Sequence, residues 1–76
     1  MKILVADDDK EIVELLSIYL HNEGYEPVKA YDGNEALSKI RTNSDIELLI
    51  LDIMMPGKDG MQVVKELRKE SQIPII

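Results

Sequence analysis

Two short apolar runs in this chain each end at acidic residues, and that pairing narrows the folds open to it. Ile3-Leu4-Val5-Ala6 runs into Asp7-Asp8-Asp9, and Leu48-Leu49-Ile50-Leu51 runs into Asp52. Four apolar residues without alternation are expected of a strand covered on both faces, as in a parallel sheet flanked by helices. The stretches between the runs are amphipathic, so strands and helices alternate along the chain, the mark of βαβ units in an α/β fold. In an open sheet of that kind, ligands bind beyond the carboxyl ends of the strands, where the strand order reverses. With the first and third strands as neighbours, Asp7, Asp8 and Asp52 converge on that crevice.

The rest of the chain fills in the alternation. Ile12, Leu15, Leu16 and Tyr19 recur at helical spacing and predict a first helix that stops near Glu23-Gly24, glycine being the usual residue just past a helix end. Tyr25 to Ala30 reads as a second strand, placed at a sheet edge because Pro27 has no N–H to donate. Asp32-Gly33-Asn34-Glu35 has the form of a capping box, and the helix behind it is expected to bury Ala36, Leu37 and Ile40. Leu48 to Leu51, the most apolar run, is expected to be the central strand. Pro56-Gly57 and Asp59-Gly60 mark a loop. Asp59 and Gln62 suit the start of a third helix, with Val64, Leu67 and Met61 toward the sheet. Ile73-Pro74-Ile75-Ile76 begins a fourth strand.

A chain of 76 residues forms one domain at most. At this size only about 60% of the unfolded surface is buried, so stability is marginal. It has no cysteine, which excludes disulfides and thiolate metal sites and suits a reducing cytoplasm. The run of aspartates arrives too early for a signal peptide, and no apolar run reaches the roughly 18 residues of a membrane span. The formal charge of −6 argues against binding nucleic acid through this segment and suits a divalent cation, although solubility alone also accounts for it.

Carboxylates crowded into one site repel each other, and a bound divalent cation reverses that cost. Mg²⁺ takes oxygen ligands, usually one or two carboxylates with water. A metal beside a carboxylate also neutralises an incoming phosphoryl group, and that carboxylate can attack it to form an acyl phosphate. The simpler alternative for Asp7 to Asp9 is helix capping, with Asp8-Asp9-Lys10-Glu11 as the box. Asp52 resists that explanation, since a charge directly after four apolar residues is costly unless paired or used.

These blocks, in this order, resemble the CheY-like receiver domain of two-component response regulators. Ile3 to Asp9, Tyr31 to Leu37, Leu48 to Gly60 and Ile73 to Ile76 carry the resemblance. It implies a flavodoxin-like, doubly wound parallel sheet of strand order 2-1-3-4-5, of which residues 1–76 are the N-terminal part, β1-α1-β2-α2-β3-α3-β4. It implies that Asp52 is the phosphoacceptor and that Asp7, Asp8 and Asp52 bind Mg²⁺ together with the main-chain carbonyl of Met54. Pro56 and Gly60 then shape the loop that keeps Asp52 accessible. The implied partner is a sensor histidine kinase, and the wording Asp-Ile-Met-Met-Pro-Gly is similar to DNA-binding regulators of the OmpR/PhoB class, VanR-type proteins among them. A parent protein that regulates transcription follows from that likeness.

The family's further hydroxyl residue and lysine fall beyond Ile76, as do its last two helices. The chain is thus about three-fifths of a receiver, taking a domain of about 120 residues. Phosphotransfer and switching by these 76 residues alone are expected to be impaired. An unpaired apolar edge at Ile73 to Ile76 predicts self-association, as a swapped or edge-paired dimer. Two other readings differ in class. A haloacid-dehalogenase-like phosphotransferase needs a second aspartate two residues past the first, where this chain has Met54. A pseudo-receiver that only binds partners would have lost the acidic residues that are present here. Met54 and Met55 fit packing better than a soft metal site. Tyr19, Tyr25 and Tyr31 read as amphipathic packing residues, His21 as an exposed residue late in the first helix, and Lys58 as a loop charge with no assigned role.

Overall fold

In the computed structural model, which describes residues 1–55 and 60–76, β1 (Lys2–Ala6) lies at the centre of a parallel sheet. β2 (Glu26–Ala30) pairs on one side of it and β3 (Ile46–Leu51) on the other, giving the order β2-β1-β3. Ile3, Leu4, Val5 and Ala6 are all buried, as a run covered on both faces requires. β1 is the middle of the three strands, and β3, the more apolar run, is flanked by β1 on one side and by residues 73–76 on the other. The fourth strand is limited to a single parallel bridge between Ile75 and Leu49. Around it the Leu49 N–H donates to the Pro74 carbonyl at 3.0 Å, and the Ile76 N–H to the Leu49 carbonyl at 2.9 Å. Residues 73–76 thus lie beside β3, on the side expected of β4, without forming a full strand.

The edge position of β2 explains how it tolerates proline. Glu26 and Ala30 turn main-chain groups toward the residues that flank β1: the Glu26 N–H donates to the Met1 carbonyl and the Ala30 carbonyl accepts from the Asp7 N–H. Side-on alternation then points Pro27 at the open edge, where its missing N–H costs no ladder bond.

α1 (Lys10–Asn22) covers one face of the sheet, while α2 (Gly33–Thr42) and α3 (Gly60–Leu67) pack on the other. Under α2 and α3 lie Leu4, Ala6, Leu49, Val63 and Leu67; under α1 lie Ile3, Val5, Val13 and Leu20. The residues whose spacing marks α1 are mostly not the ones it buries. Val13, Ser17 and Leu20 face the sheet with Leu16 half-buried, whereas Ile12, Leu15 and Tyr19 are exposed. Both sets satisfy the same three-and-four spacing, and Ser17 disguises the inner one. α3 differs in the same way: Val63 and Leu67 are buried, Val64 is half-buried, and Met61 faces solvent.

The helix ends follow the local sequence. α1 closes in a Schellman arrangement, the Tyr25 N–H donating to Leu20 and the Gly24 N–H to His21, with Gly24 at φ +90°. Asp32 caps α2, its side chain accepting the Glu35 N–H at 2.8 Å, and Ala36, Leu37 and Ile40 join the core as expected. Pro56, Gly57, Lys58 and Asp59 lie outside the described residues, and with them the expected cap of α3 and the loop role of Pro56.

Candidate functional site

β1 and β3 are neighbours in register, with Ala6 opposite Leu51. The residues that follow each strand must then emerge side by side. The Asp52 N–H extends the ladder by donating to the Ala6 carbonyl at 2.9 Å. Asp7, Asp8 and Asp52 each offer a carboxylate oxygen, and those atoms all lie within 4.8 Å of one another. Asp7 and Asp52 are half-buried and Asp8 is exposed, so the cluster sits in the rim of the sheet and opens to solvent.

The three consecutive aspartates divide their work. Asp9, not Asp8, is the N-cap of α1: its Oδ1 accepts the N–H groups of Glu11 at 3.0 Å and Ile12 at 3.4 Å. The Asp9 N–H in turn donates to Asp7 Oδ1 at 2.9 Å, which fixes that carboxylate. Capping therefore does not consume Asp8, which stays with the cluster. No feature of three identical residues in a row distinguishes the cap from the pair.

Burial pushes the Asp7 carboxyl above its ordinary value. The Asp9 N–H opposes this, while the negative charges of Asp52 and Asp8 add to it. The cluster is thus electrostatically unfavourable with nothing bound, and a cation between the carboxylates would relieve it. All three donors are hard oxygens, which fits Mg²⁺ and not a thiophilic metal.

Beyond Asp52 the chain turns back on itself. Asp52 Oδ1 accepts the Met54 N–H at 3.1 Å, leaving the Met54 side chain 82% exposed. Met55 goes the other way and is buried in the core beneath α2 and α3. The two adjacent methionines therefore have opposite fates. His21, Tyr19 and Tyr25 are exposed. Tyr31 is half-buried, its hydroxyl 3.4 Å from Glu14 and its ring 5.8 Å from the Lys10 ammonium. A cavity of about 330 Å³ lies at the opposite end of β3, beside Ile46, Arg41 and Glu70. Arg41 and Glu70 satisfy each other there at 2.8 Å, so that cavity presents no unanswered charge.

A family model for the response regulator receiver domain matches residues 3–76. The chain belongs to that family. Among curated relatives, the response regulator GtcR of Aneurinibacillus migulanus is 47% identical over 74 residues, covering 97% of this chain and 30% of GtcR. Among solved structures, the response regulator TrrA of Thermotoga maritima, in complex with Mg²⁺–BeF, is 45% identical with a TM-score of 0.89, over 97% of this chain and 64% of that one. The BeF₃-activated N-terminal receiver domain of Klebsiella pneumoniae RstA is 37% identical with a TM-score of 0.92, over 99% of this chain and 63% of that one. The receiver sequence here thus spans under a third of its curated relative and less than two thirds of these solved domains. The fold is the flavodoxin-like receiver fold, and its three-stranded sheet is consistent with an incomplete one. Among the described residues, no helix of this receiver is long and apolar enough to cross a membrane.

Proposed function

We propose that this receiver domain accepts a phosphoryl group on Asp52, with Mg²⁺ held by Asp7, Asp8, Asp52 and the main-chain carbonyl of Met54. The observation that carries the reading is the convergence of three carboxylates within 4.8 Å at the ends of two adjacent strands. The similarity to TrrA, solved with Mg²⁺–BeF, supports the metal. Mg²⁺, when bound, supplies positive charge to the transferring phosphoryl oxygens. The chain's own contribution is geometric. Asp9 pins Asp7, the β1–β3 ladder fixes the main chain of Asp52, and the Met54 N–H on one carboxylate oxygen orients the group.

The donor is a phosphohistidine of a sensor histidine kinase. An oxygen of Asp52 forms the new O–P bond as the P–N bond breaks. The imidazole leaves with the bonding pair and takes a proton from solvent. The surrounding protein works in the cytoplasm and regulates transcription, in the manner of the OmpR/PhoB class. Its contact with DNA lies outside this acidic segment.

The test is acetyl-phosphate labelling of the intact protein, with borohydride trapping and peptide mass spectrometry. Label at Asp52 that is lost in Asp52→Asn supports the reading. Label on another residue, or none with Mg²⁺ present, rejects it.

A further inference from the structure

Lys10 follows three aspartates directly, yet its ammonium goes elsewhere. Asp9 is the N-cap of α1, so Lys10 is the first residue of the helix. Helical side chains lean toward the helix N-terminus, which aims the Lys10 stem back toward Asp7, Asp8 and Asp9. A cation at that end also opposes the helix dipole, and nearby carboxylates would offset the cost. Among the described residues, however, no ion pair joins Lys10 to a carboxylate. The ammonium lies instead over the ring of Tyr31, 5.8 Å from its centroid.

The ring is anchored on both sides. Tyr31 follows β2 and packs against the core under α1. Its hydroxyl donates to Glu14 Oε1 at 3.4 Å, and Lys29 Nζ donates to the same oxygen at 2.8 Å. Glu14 lies four residues beyond Lys10 on α1, where its charge draws the ammonium along the helix and away from the N-terminus. The ring face and the Glu14 carboxylate thus compete with the aspartates for one cation. The outcome matters because an ammonium among Asp7, Asp8 and Asp52 would occupy the oxygens that a divalent cation needs. We propose that Tyr31, backed by Glu14, parks the Lys10 ammonium off the acidic cluster and so leaves Asp7, Asp8 and Asp52 free for the metal. Tyr31 is then a positioning residue that acts through Lys10. The inference rests on the metal site proposed above.

The test is a double-substitution cycle in the intact protein, read as Mg²⁺ affinity from amide NMR shifts. It is run at physiological ionic strength, where exposed charges more than about 8 Å apart are screened. Tyr31→Leu removes the ring and keeps an apolar side chain. It is expected to weaken Mg²⁺ binding about two- to fivefold, the size of an exposed cation–π contact. Tyr31→Phe keeps the ring face and is expected to bind Mg²⁺ as the unsubstituted protein does. Lys10→Gln is expected to change the affinity little, because the ammonium is already off the carboxylates. Adding Lys10→Gln to Tyr31→Leu is expected to restore the affinity, since no ammonium remains to compete. Glu14→Gln probes the same device from an exposed position, without touching the core, and is expected to weaken binding only while Lys10 is present. A loss in Tyr31→Leu that persists without Lys10 would mean that Tyr31 acts through packing, and it overturns the inference. An unchanged Tyr31→Leu, or a Tyr31→Phe as weak as Tyr31→Leu, overturns it too. So does Lys10→Gln tightening binding as much as Tyr31→Leu weakens it, which would place the ammonium on the aspartates from the start. Absence of Mg²⁺ binding by the unsubstituted protein overturns the metal reading instead, and is seen before any variant is made.

Discussion

Burial raises the Asp7 carboxyl above its ordinary value, and the neighbouring charges of Asp52 and Asp8 act in the same direction against the Asp9 N–H. The folded state therefore holds a proton on Asp7 more tightly than the unfolded state does. Stability contributed by this group is present at low pH and is lost as pH rises from the ordinary aspartate value through the higher folded value. At neutral pH the ionised carboxylate is a burden on the metal-free fold. Asp7→Asn, which keeps an oxygen for the Asp9 N–H, is expected to raise the metal-free Tm at pH 7 by a few degrees. The gain should shrink as pH falls toward the ordinary aspartate value, and calorimetric melts across that range check it. Mg²⁺ should reverse the order. The unsubstituted protein gains about 2.7 kcal/mol at a hundred times its Kd, while Asp7→Asn gains little, as melts with and without MgCl₂ will show. The position of Asp52 at the end of β3, beside Asp7 and Asp8, was legible because its charge follows four apolar residues. The division between Asp8 and Asp9 was not, because it depends on where the first turn of α1 begins.

The end of α1 and the start of α2 are set by neighbours in sequence, and they were the most legible helix ends. Asp32 with Glu35 and Glu23-Gly24 can be recognised without knowing what the helix packs against, and both occur as expected. Each supports a prediction of measurable size by denaturant titration. Asp32→Ala removes the acceptor of the Glu35 N–H and should cost about 1 kcal/mol. Gly24→Ala forces a Cβ into the left-handed region at φ +90° and should cost about 1–2 kcal/mol, through the backbone alone because its surroundings are open. A loss at residue 24 well above that range would mean that packing, not conformation, selects glycine there. The rotation of a helix about its axis was harder to read. Ile12, Leu15 and Tyr19 outrank Val13, Ser17 and Leu20 in apolarity, yet the second set is buried on the side of Ile3 and Val5, with Leu16 packed beside it. The choice is made by where the chain leaves β1 and enters β2. That constraint belongs to the sheet and leaves no mark in the periodicity of the helix.

The two faces of the sheet are unequally covered. Leu4 and Leu49 lie completely buried under α2 and α3, but Leu48 and Ile50, pointing to the α1 side, are only half-buried. On that side α1 turns Leu15, Ile18 and Tyr19 outward, at 69%, 58% and 61% exposure. Beside β3, Ile76 is 75% exposed, and the bonding of Pro74 and Ile76 to β3 leaves Ile75 turning its main-chain groups to the outer edge. An apolar edge with open N–H and C=O groups is a template for another strand. We propose that a chain of these 76 residues pairs with a second copy along residues 73–76, which satisfies those groups and shields the flanking apolar side chains together. Sedimentation velocity is expected to show a monomer–dimer equilibrium that shifts toward dimer into the high micromolar range. Ile76→Lys places a charge on that edge at a position already facing solvent, so it costs little in the core. It should move the equilibrium back to monomer while leaving the melt of the dilute protein nearly unchanged. A folded monomer at every concentration would exclude edge pairing. A dimer indifferent to Ile76→Lys but dissolved by charge at Leu15 would place the contact on α1 instead of the sheet.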